Sequence, residues 1–224
     1  LTSLFWSNIN KSTSFEDIYQ LQPGCYLVYE NNNIDIQKYW INPISTSNHD
    51  NSQKDFLEIL QESLKRQIHG EVGFSSYLSG GIDSSAIAYL LTKIQKSPID
   101  TFSIQFENKE YDESDAQNKI QKIIKSNHYA LKISDLDIAN NFENVINHCE
   151  THLFRTAPVP MYLLSKRVKE AGHKVVFTGE GADEVLLGYD IFGELKIRKF
   201  WSKFPDSDLR PQLLQKLYYY LPQF

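Results

Sequence analysis

The pattern of apolar and polar positions along the chain changes near residue 50. From Lys54 onward, apolar residues recur at the three- and four-residue spacing of helices, and these stretches alternate with short apolar runs rich in β-branched residues. The first such stretch, KDFLEILQESLKRQIH, presents four apolar residues on one helical face: Leu57, Leu60, Leu64 and Ile68. Strands separated by helices of this length pair in parallel through right-handed crossovers. The pattern therefore predicts an α/β fold, a doubly wound parallel sheet with flanking helices.

The same alternation assigns four strands and the helices between them. The predicted strands are, in chain order, VGFSSYLS, TFSIQF, HYALKIS and KVVFTG. The predicted connecting helices are AIAYLLTKIQ, DESDAQNKIQKIIKS, IANNFENVINHCE and PMYLLSKRVKEA. Ligands of doubly wound sheets bind at the carboxyl ends of the strands. We therefore expect a site in the loops that follow the first and last of these strands.

The first fifty residues follow a different pattern. Between Phe15 and Trp40, two short runs rich in Ile, Val and Tyr flank a turn of three asparagines, residues 31–33. Asparagine tolerates the left-handed backbone of tight turns, so these runs predict a β-hairpin. A lone hairpin is only marginally stable in water, so we expect its sheet partners to belong to another part of the fold. Residues 42–53, NPISTSNHDNSQ, are polar, break both periodicities and predict a linker.

Composition narrows the classes of function. The net charge of −5 and the mixing of acidic with basic residues disfavour a nucleic-acid partner. No apolar run reaches the roughly 18 residues of a membrane helix, so we predict a cytoplasmic protein. Cys25 and Cys149 lack metal-site spacing and are predicted to be reduced and buried. Because the only methionine is Met161, we expect Leu1 to be a processed end or the edge of a longer protein.

The stretch LSGGIDSS follows the first predicted strand and has the composition of a phosphate-binding loop. Gly80 and Gly81 allow a sharp turn that directs backbone N–H groups at an anion, and the next helix, starting near Ser84, adds its positive dipole end. The lysine of the Walker A pattern is absent. Asp83 fits such a loop when Mg²⁺ lies between it and the phosphates. The alternative is an ordinary glycine turn with Asp83 as the helix N-cap.

A second glycine-rich loop, TGEGADE, follows the last predicted strand. It places Glu180, Asp183 and Glu184 within five residues. Crowded carboxylates repel one another, and a divalent cation shared with Asp83 would relieve that repulsion for Asp183. A remaining carboxylate would be available as a general base. The alternative is the start of a helix, where acidic residues are favoured.

Together the motifs resemble a known group of enzymes. SGGIDSS resembles the signature loop of the PP-loop ATP pyrophosphatases, which transfer AMP to a carboxylate or carbonyl and release pyrophosphate. Its combination with GEGADE, with THLFRTAPVPMYLLSKRVKE before it and with GYDIF after it resembles the glutamine-hydrolysing asparagine synthetases. The likeness runs through nearly the whole chain, because QLQPGCYL and the hairpin are similar to the last strands of that family's amino-terminal glutaminase domain.

The resemblance implies a division of the chain and a set of ligands. Residues 1–41 would be the end of an Ntn-type glutaminase domain, 42–53 a linker, and 54–224 an ATP-pyrophosphatase synthetase domain truncated at its carboxyl end. ATP and Mg²⁺ would be the cofactors, and aspartate and ammonia from glutamine the other substrates. The intermediate would be β-aspartyl-AMP, and the full-length parent is a possible homodimer.

It also implies roles for individual residues. The phosphates of ATP would be held by Ser79, Gly80, Gly81, Asp83, Ser84 and Ser85. Adenine and ribose would be contacted by Leu78, Ile104, Thr178 and Gly179. Asp83 and Asp183 would bind magnesium, and Glu180 would help to deprotonate ammonia as it attacks the acyl-adenylate. Arg155 is a further candidate, able to hold a substrate carboxylate through two hydrogen bonds.

Three departures from the family pattern accompany this likeness. Leu1 cannot serve as the glutaminase nucleophile, and Cys25, inside a strand, is no substitute. LLGY stands where a glycine pair is frequent, so we expect that turn to be built differently. The family's lysine that contacts pyrophosphate lies in a carboxyl-terminal region beyond YYYLPQF.

Three interpretations stay open from the sequence. The chain belongs to an asparagine synthetase, or to a related enzyme that closes a lactam or amidates another acid, or it is a fragment that only binds nucleotide or is inert. Residues that select the acid substrate cannot be identified from the motifs alone.

Overall fold

The hairpin forms where the asparagines predict it. The computed structural model describes residues 11–41, 53–151 and 153–220. Strands β1 (Cys25–Glu30) and β2 (Asn33–Lys38) pair antiparallel, with Glu30 opposite Asn33. Asn31 and Asn32 both have left-handed backbones, at φ 50° and 62°, as a two-residue hairpin turn requires. The predicted hairpin is therefore confirmed.

The predicted linker and the predicted burial of the cysteines have different outcomes. The predicted linker lies outside the described residues except for Gln53, which begins the first helix. The prediction that both cysteines are buried is wrong: Cys25 is half-buried and Cys149 is exposed. Cys149 is the last residue of its helix, where its side chain reaches solvent.

Four parallel strands form the main sheet of the described residues, and all four coincide with predicted strands. They are β3 (Phe74–Tyr77), β4 (Asp100–Phe106), β5 (Asn127–Ile133) and β6 (Val175–Phe177). The order across the sheet is β5-β4-β3-β6. The first and last strands are shorter than predicted because their final predicted residues turn into the two glycine-rich loops.

Helices lie between the strands as the periodicity predicts. Helix α1 (Gln53–Gln67) precedes β3. Helix α2 (Ile82–Gln95) connects β3 to β4, and α3 (Ser114–Ile124) connects β4 to β5. Between β5 and β6 the chain forms α4 (Asp135–Cys149) and α5 (Pro158–Glu170). After β6 come α6 (Ala182–Leu186), α7 (Asp190–Trp201) and α8 (Gln212–Leu217). Within the described ranges, no helix has the length and apolar character needed to cross a bilayer.

The apolar core is divided between the two faces of the sheet. One cluster joins α1, α2 and α3 to the sheet through Leu64, Leu78, Ala88, Leu90, Leu91, Ile99, Ile124 and Phe177. The other joins α5 to the opposite face through Phe102, Leu164 and Val168, with Tyr77 and Val176 packed against them. Neighbouring residues such as Tyr77 and Leu78 therefore face opposite layers, as alternation along a strand requires. Helices on both faces confirm the doubly wound architecture.

The order in which the chain adds strands to the sheet reverses beside β3. From β3 the chain proceeds through β4 to β5 on one side, and then crosses to β6 on the other side of β3. At such a switch point, the loops after the two neighbouring strands diverge and leave a crevice. Here the two loops are 78–85 and 178–184, the two glycine-rich segments.

Candidate active site

A cleft of about 330 Å³ opens at the carboxyl ends of the strands, between the two glycine-rich loops. Ten of the twelve residues that the sequence predicts for the nucleotide, metal and catalytic sites line it: Leu78, Ser79, Gly81, Asp83, Ser84, Ile104, Thr178, Gly179, Glu180 and Asp183. The other two, Gly80 and Ser85, are not among its lining residues. The structure thus brings most of the predicted set to one place. Their roles in binding stay predictions.

Hydroxyl groups and a glycine shape the first loop. Gly80 has φ +91°, and a Cβ there would lie 2.8 Å from the Cβ of Ala116, so the loop packs directly on α3. The Ser79 N–H donates to Ser84 Oγ over 3.1 Å, and the two serine hydroxyls lie 2.9 Å apart. Ser85 donates its hydroxyl to the Gly81 carbonyl over 2.6 Å. Ser85 therefore stabilises the first turn of α2 and does not present its hydroxyl to the cleft.

The alternative interpretation of Asp83 as a helix N-cap is wrong. Gly81 occupies the N-cap of α2 with an extended backbone, and no side chain caps the helix there. Asp83 lies in the first turn, half-buried, and lines the cleft. The predicted start near Ser84 is two residues late, because the helix begins at Ile82.

The two loops touch through Gly179. A Cβ at this residue would lie 2.8 Å from the backbone nitrogen of Ser84 and 3.0 Å from the Cβ of Asp83. Only a glycine leaves room for that approach. The loop after β6 is therefore seated on the start of α2, and Asp83 is held beside the segment that carries Glu180 and Asp183.

The second loop is also the start of a helix, as its alternative interpretation predicts. Gly181 is the N-cap of α6 at φ +89°, and Asp183 and Glu184 lie in the first turn. The carbonyl of Asp183 accepts hydrogen bonds from the N–H groups of Leu187 and Gly188. Asp183 is thus anchored through its backbone, while its half-buried side chain faces the cleft.

Tyr189 holds one of the three crowded carboxylates. Its hydroxyl donates to Glu184 Oε1 over 2.7 Å. This bond lowers the pKa of Glu184 below its ordinary value. The same bond, together with desolvation and the charge of Glu184, raises the pKa of Tyr189 to about 12. Glu184 therefore has a protein partner, which leaves Asp183 and Glu180 as the carboxylates of the loop that can serve a ligand.

The donor set fits a magnesium ion shared with phosphates. In the part of the chain that the structure describes, no three His, Cys, Asp or Glu side chains cluster as an all-protein metal site. Mg²⁺ in nucleotide sites needs only one or two carboxylates, and phosphate oxygens and waters complete its octahedron. Asp83 and Asp183, brought to one cleft by the contact at Gly179, supply that number.

The turn after α6 places a leucine in the left-handed backbone region. Leu187 has φ 59° and ψ 43°, and its side chain is 58% exposed. The expectation that this turn is built differently from that of the family stays a prediction. A branched residue in this region costs about 1 kcal/mol relative to glycine.

We expect Leu187→Gly to raise the free energy of unfolding by about 0.5 to 1 kcal/mol, because glycine relieves the backbone strain and little buried area is lost. Urea denaturation measures the change. The matched control is Leu186→Gly: Leu186 is the last residue of α6, with a similarly exposed side chain, and its replacement should destabilise the protein. A loss of stability in both variants would contradict the prediction.

Arg155 does not line the nucleotide cleft. It lines a neighbouring cavity of about 720 Å³ between β4, α4 and the start of α5. The two spaces share Phe106 and Tyr111 in their walls. Most of the second cavity is apolar, lined by residues such as Ile138, Phe142 and Leu153 as well as by Arg155.

Sequence reasoning missed several polar residues that line the cleft, Gln117 and Tyr189 among them. Gln117 is 2% exposed and lies on the inner face of α3, three and seven residues before Ile120 and Ile124. A polar residue in register with that apolar stripe is the signal that could have identified it. Tyr189 belongs to the quoted GYDIF motif, but nothing in its spacing indicates a bond to Glu184.

Comparisons with known proteins identify the family of this chain. A model of the asparagine synthase family matches residues 55–222. The glutamine-hydrolyzing asparagine synthetase 1 of Bacillus subtilis is 28% identical over 207 residues, which cover 91% of this chain and 32% of the relative. Amidase chyE of Penicillium rubens is 29% identical over 205 residues, covering 82% and 30%. The chain thus spans about a third of the length of these curated relatives.

Among solved structures, the U34-tRNA thiolase NcsA from Methanococcus maripaludis aligns with a TM-score of 0.44 and 18% identity, over 74% of this chain and 65% of that chain. The NH3-dependent NAD synthetase from Campylobacter jejuni aligns with a TM-score of 0.39 and 21% identity, over 61% and 58%. The match of the family model to most of the chain shows that this protein belongs to the asparagine synthase family.

Proposed function

We propose that this chain carries the ATP site of an enzyme that makes a carbon–nitrogen bond by adenylating a carboxylate. The favoured reaction is that of an asparagine synthetase: aspartate, ATP and ammonia from glutamine give asparagine, AMP and pyrophosphate. The single observation that carries the proposal is the seating of Gly179 on Ser84 and Asp83, which brings the two aspartates to one cleft at the switch point.

The chemistry requires such a cleft. A carboxylate resists attack because its negative charge repels nucleophiles. When a carboxylate oxygen attacks the α-phosphorus of ATP, pyrophosphate leaves and the resulting acyl-AMP has lost that charge. Ammonia then attacks the acyl carbon, AMP departs with its bonding electrons, and a base accepts the released proton. Bound Mg²⁺ would neutralise charge on the phosphates during the first step.

Residues of the cleft can be assigned to these steps. We propose that the backbone of residues 79–81 and the start of α2 bind the phosphates, where N–H groups and the helix dipole favour an anion. Asp83 and Asp183 would hold the ion. Glu180 lines the cleft and is exposed, which supports the proposal that it accepts the ammonium proton. Leu78, Ile104, Thr178 and Gly179 would contact the nucleoside.

A second candidate differs only in the acid that is activated. The apolar cavity of about 720 Å³ that contains Arg155 is larger and less polar than aspartate requires. A relative named an amidase matches this chain as well as the asparagine synthetase does. These observations favour, as the alternative, a related amide- or lactam-forming enzyme whose acid has an apolar body and a carboxylate held by Arg155. A non-catalytic ATP-binding fragment is the remaining possibility.

The rest of the proposed assignment concerns the whole protein. We propose that residues 1–41 end a glutaminase domain, and that the exposed apolar residues of the hairpin, among them Tyr29, Ile34 and Ile36, pack against its other strands. We further propose a cytoplasmic enzyme acting on small molecules, with no nucleic-acid partner, that is able to form a homodimer.

Calorimetric titration of MgATP tests the proposal. We expect the chain to bind MgATP and the Asp83→Ala, Asp183→Ala double variant to lose at least about tenfold in affinity, because the phosphate charge is no longer bridged to the protein. Glu180→Gln is the matched control: it removes a carboxylate from the same loop but one assigned to proton transfer, so binding should persist. Binding that survives in the double variant, or is lost equally in Glu180→Gln, would contradict the assignment of the metal ligands.

A further inference from the structure

A chain of hydrogen bonds runs from Ser126, just before β5, to the wall of the cleft. Gln117 donates its Nε2 to the Ile104 carbonyl over 2.9 Å, and its Oε1 accepts from the Ser103 hydroxyl over 2.9 Å. Ser103 Oγ lies 3.0 Å from His128 Nε2. Thr101 Oγ1 lies 2.9 Å from His128 Nδ1 and 2.8 Å from Ser126 Oγ. The hydroxyls and the amide are almost wholly buried, at 0% to 5% exposed.

The Ile104 carbonyl at one end of this chain determines the direction of its bonds as far as His128. A carbonyl oxygen only accepts, so the Gln117 amide nitrogen must face Ile104 and its oxygen must face Ser103. Ser103 therefore donates to Gln117 and must accept from His128. His128 therefore carries a proton on Nε2, and when the ring is neutral its Nδ1 accepts from Thr101. Burial lowers the pKa of His128, which agrees with a neutral ring.

Gln117 also lies between two parts of the cleft: the part proposed to hold the nucleobase, beside Ile104, and the part proposed to hold the phosphates, beside Gly80. A Cβ on Gly80 would lie 3.0 Å from the backbone nitrogen of Gln117, so this point of α3 supports the phosphate loop. Its side chain supports Ile104 on β4 and itself lines the cleft. One residue thus contacts both walls of the proposed nucleotide site.

The peptide group of Ile104 lies on the edge of β4 that faces β3, at a point where β3 has already ended. β3 ends at Tyr77, opposite Phe102, and the Phe102 carbonyl accepts from the Leu78 N–H over 2.8 Å. Alternate residues of a strand direct their backbone groups to the same edge, so the polar groups of Ile104 point the same way, into the cleft. One lone pair of the Ile104 carbonyl accepts from Gln117, and the second can accept from a ligand.

We propose that Gln117 is a positioning residue that sets base selectivity. Its amide, held in one orientation by the chain through Ser103, His128, Thr101 and Ser126, fixes the Ile104 carbonyl so that it accepts from the amino group of adenine and repels the oxygen of guanine. This inference rests on the proposed nucleotide function. The hydrogen-bond chain itself does not depend on that function.

Two measurements on the 224-residue chain test it. The first is the ¹⁵N spectrum of the His128 ring at neutral pH without nucleotide, which should show the proton on Nε2. The second is the ratio of the dissociation constants for MgGTP and MgATP. In Gln117→Met, Ser103 loses its acceptor, so the histidine should become a mixture of tautomers. The preference for ATP should fall roughly tenfold, the size of one lost base contact.

The matched control lies one turn along the same helix. Gln121 also donates its amide to a backbone carbonyl, that of Ser126 over 3.2 Å, but it does not line the cleft. Gln121→Met should leave the nucleotide ratio unchanged. Ser103→Ala is a second variant that keeps Gln117 while cutting its link to His128, and it too should reduce the ratio. It carries the test if Gln117→Met does not fold.

Several results would contradict the proposed role of Gln117. A proton on Nδ1 in the unaltered chain would overturn the chain of bonds, and an unchanged ratio in folded Gln117→Met and Ser103→Ala would overturn the positioning role. An equal fall in Gln121→Met would show that the helix, and not the amide, matters. A chain that binds neither nucleotide would overturn the proposed function together with the selectivity, while the tautomer result would still stand.

Discussion

Replacing Gly179 by alanine is expected to weaken MgATP binding by at least roughly a hundredfold, about 2.7 kcal/mol. The new methyl group would lie 2.8 Å from the Ser84 nitrogen and 3.1 Å from the Asp83 carbonyl carbon, and both neighbours are backbone. Neither can rotate away, so the loop after β6 must lift from α2. Asp183 would then move away from Asp83, and the geometry for one shared cation would be lost.

Calorimetry on the variant measures this effect, and Gly73→Ala supplies the control. Gly73 immediately precedes β3, at the opposite end of the sheet from the cleft, and a Cβ there meets nothing within 4 Å. Its replacement adds the same methyl group without touching either loop. Near-normal ATP affinity in Gly179→Ala, with the variant folded, would show that the contact between the loops is not what assembles the site.

Truncation of Phe102 to alanine should lower the free energy of unfolding by about 3 to 5 kcal/mol. The ring is completely buried, stacks on Tyr129 at a centroid distance of 5.0 Å, and meets the edge of His173 at 5.8 Å. It is also the centre of the cluster that fastens α5 to the sheet. Removing it leaves a cavity between two layers that cannot readily collapse.

Chemical denaturation measures the loss, with Phe56→Ala as its counterpart. Phe56 lies on α1 with 44% of its surface exposed, so the same truncation there should cost about 1 kcal/mol or less. Equal losses for the two variants would contradict the assignment of Phe102 to the core of that face.

The fold could be predicted because its signals are local. Each buried strand is a short apolar run beside a helix with a regular stripe, and the loops after β3 and β6 carry glycines that only sharp turns require. That both loops share one edge follows from parallel pairing. The sequence could not show which side chains line the cleft. Ser85 looks like a ligand donor, but it bonds to Gly81, because a hydroxyl in the first turn of a helix finds a carbonyl nearby.

The chain from Gln117 to Ser126 was hidden for a different reason. Its members come from β4, α3 and β5, and each is an ordinary residue for its element when taken alone. Only the packing of α3 against the sheet brings the amide, the imidazole and three hydroxyls within hydrogen-bonding distance. Arg155 shows a related limit: its residue type suggests a group that binds carboxylates, but only the structure shows that it lines the neighbouring cavity.

The pairing of β3 with β6 also orders the events of folding. Ser76 donates its hydroxyl to the Phe177 carbonyl across 101 residues of sequence. Closing a loop of that length costs conformational entropy, and the contacts that offset this cost form only when β6 pairs with β3. Strands β3, β4 and β5 can associate earlier through shorter crossovers, but the cleft is incomplete until β6 arrives beside β3. On the ribosome, the proposed nucleotide site would therefore form abruptly, after residues near 180 emerge, and a bound nucleotide would then hold β6 in place.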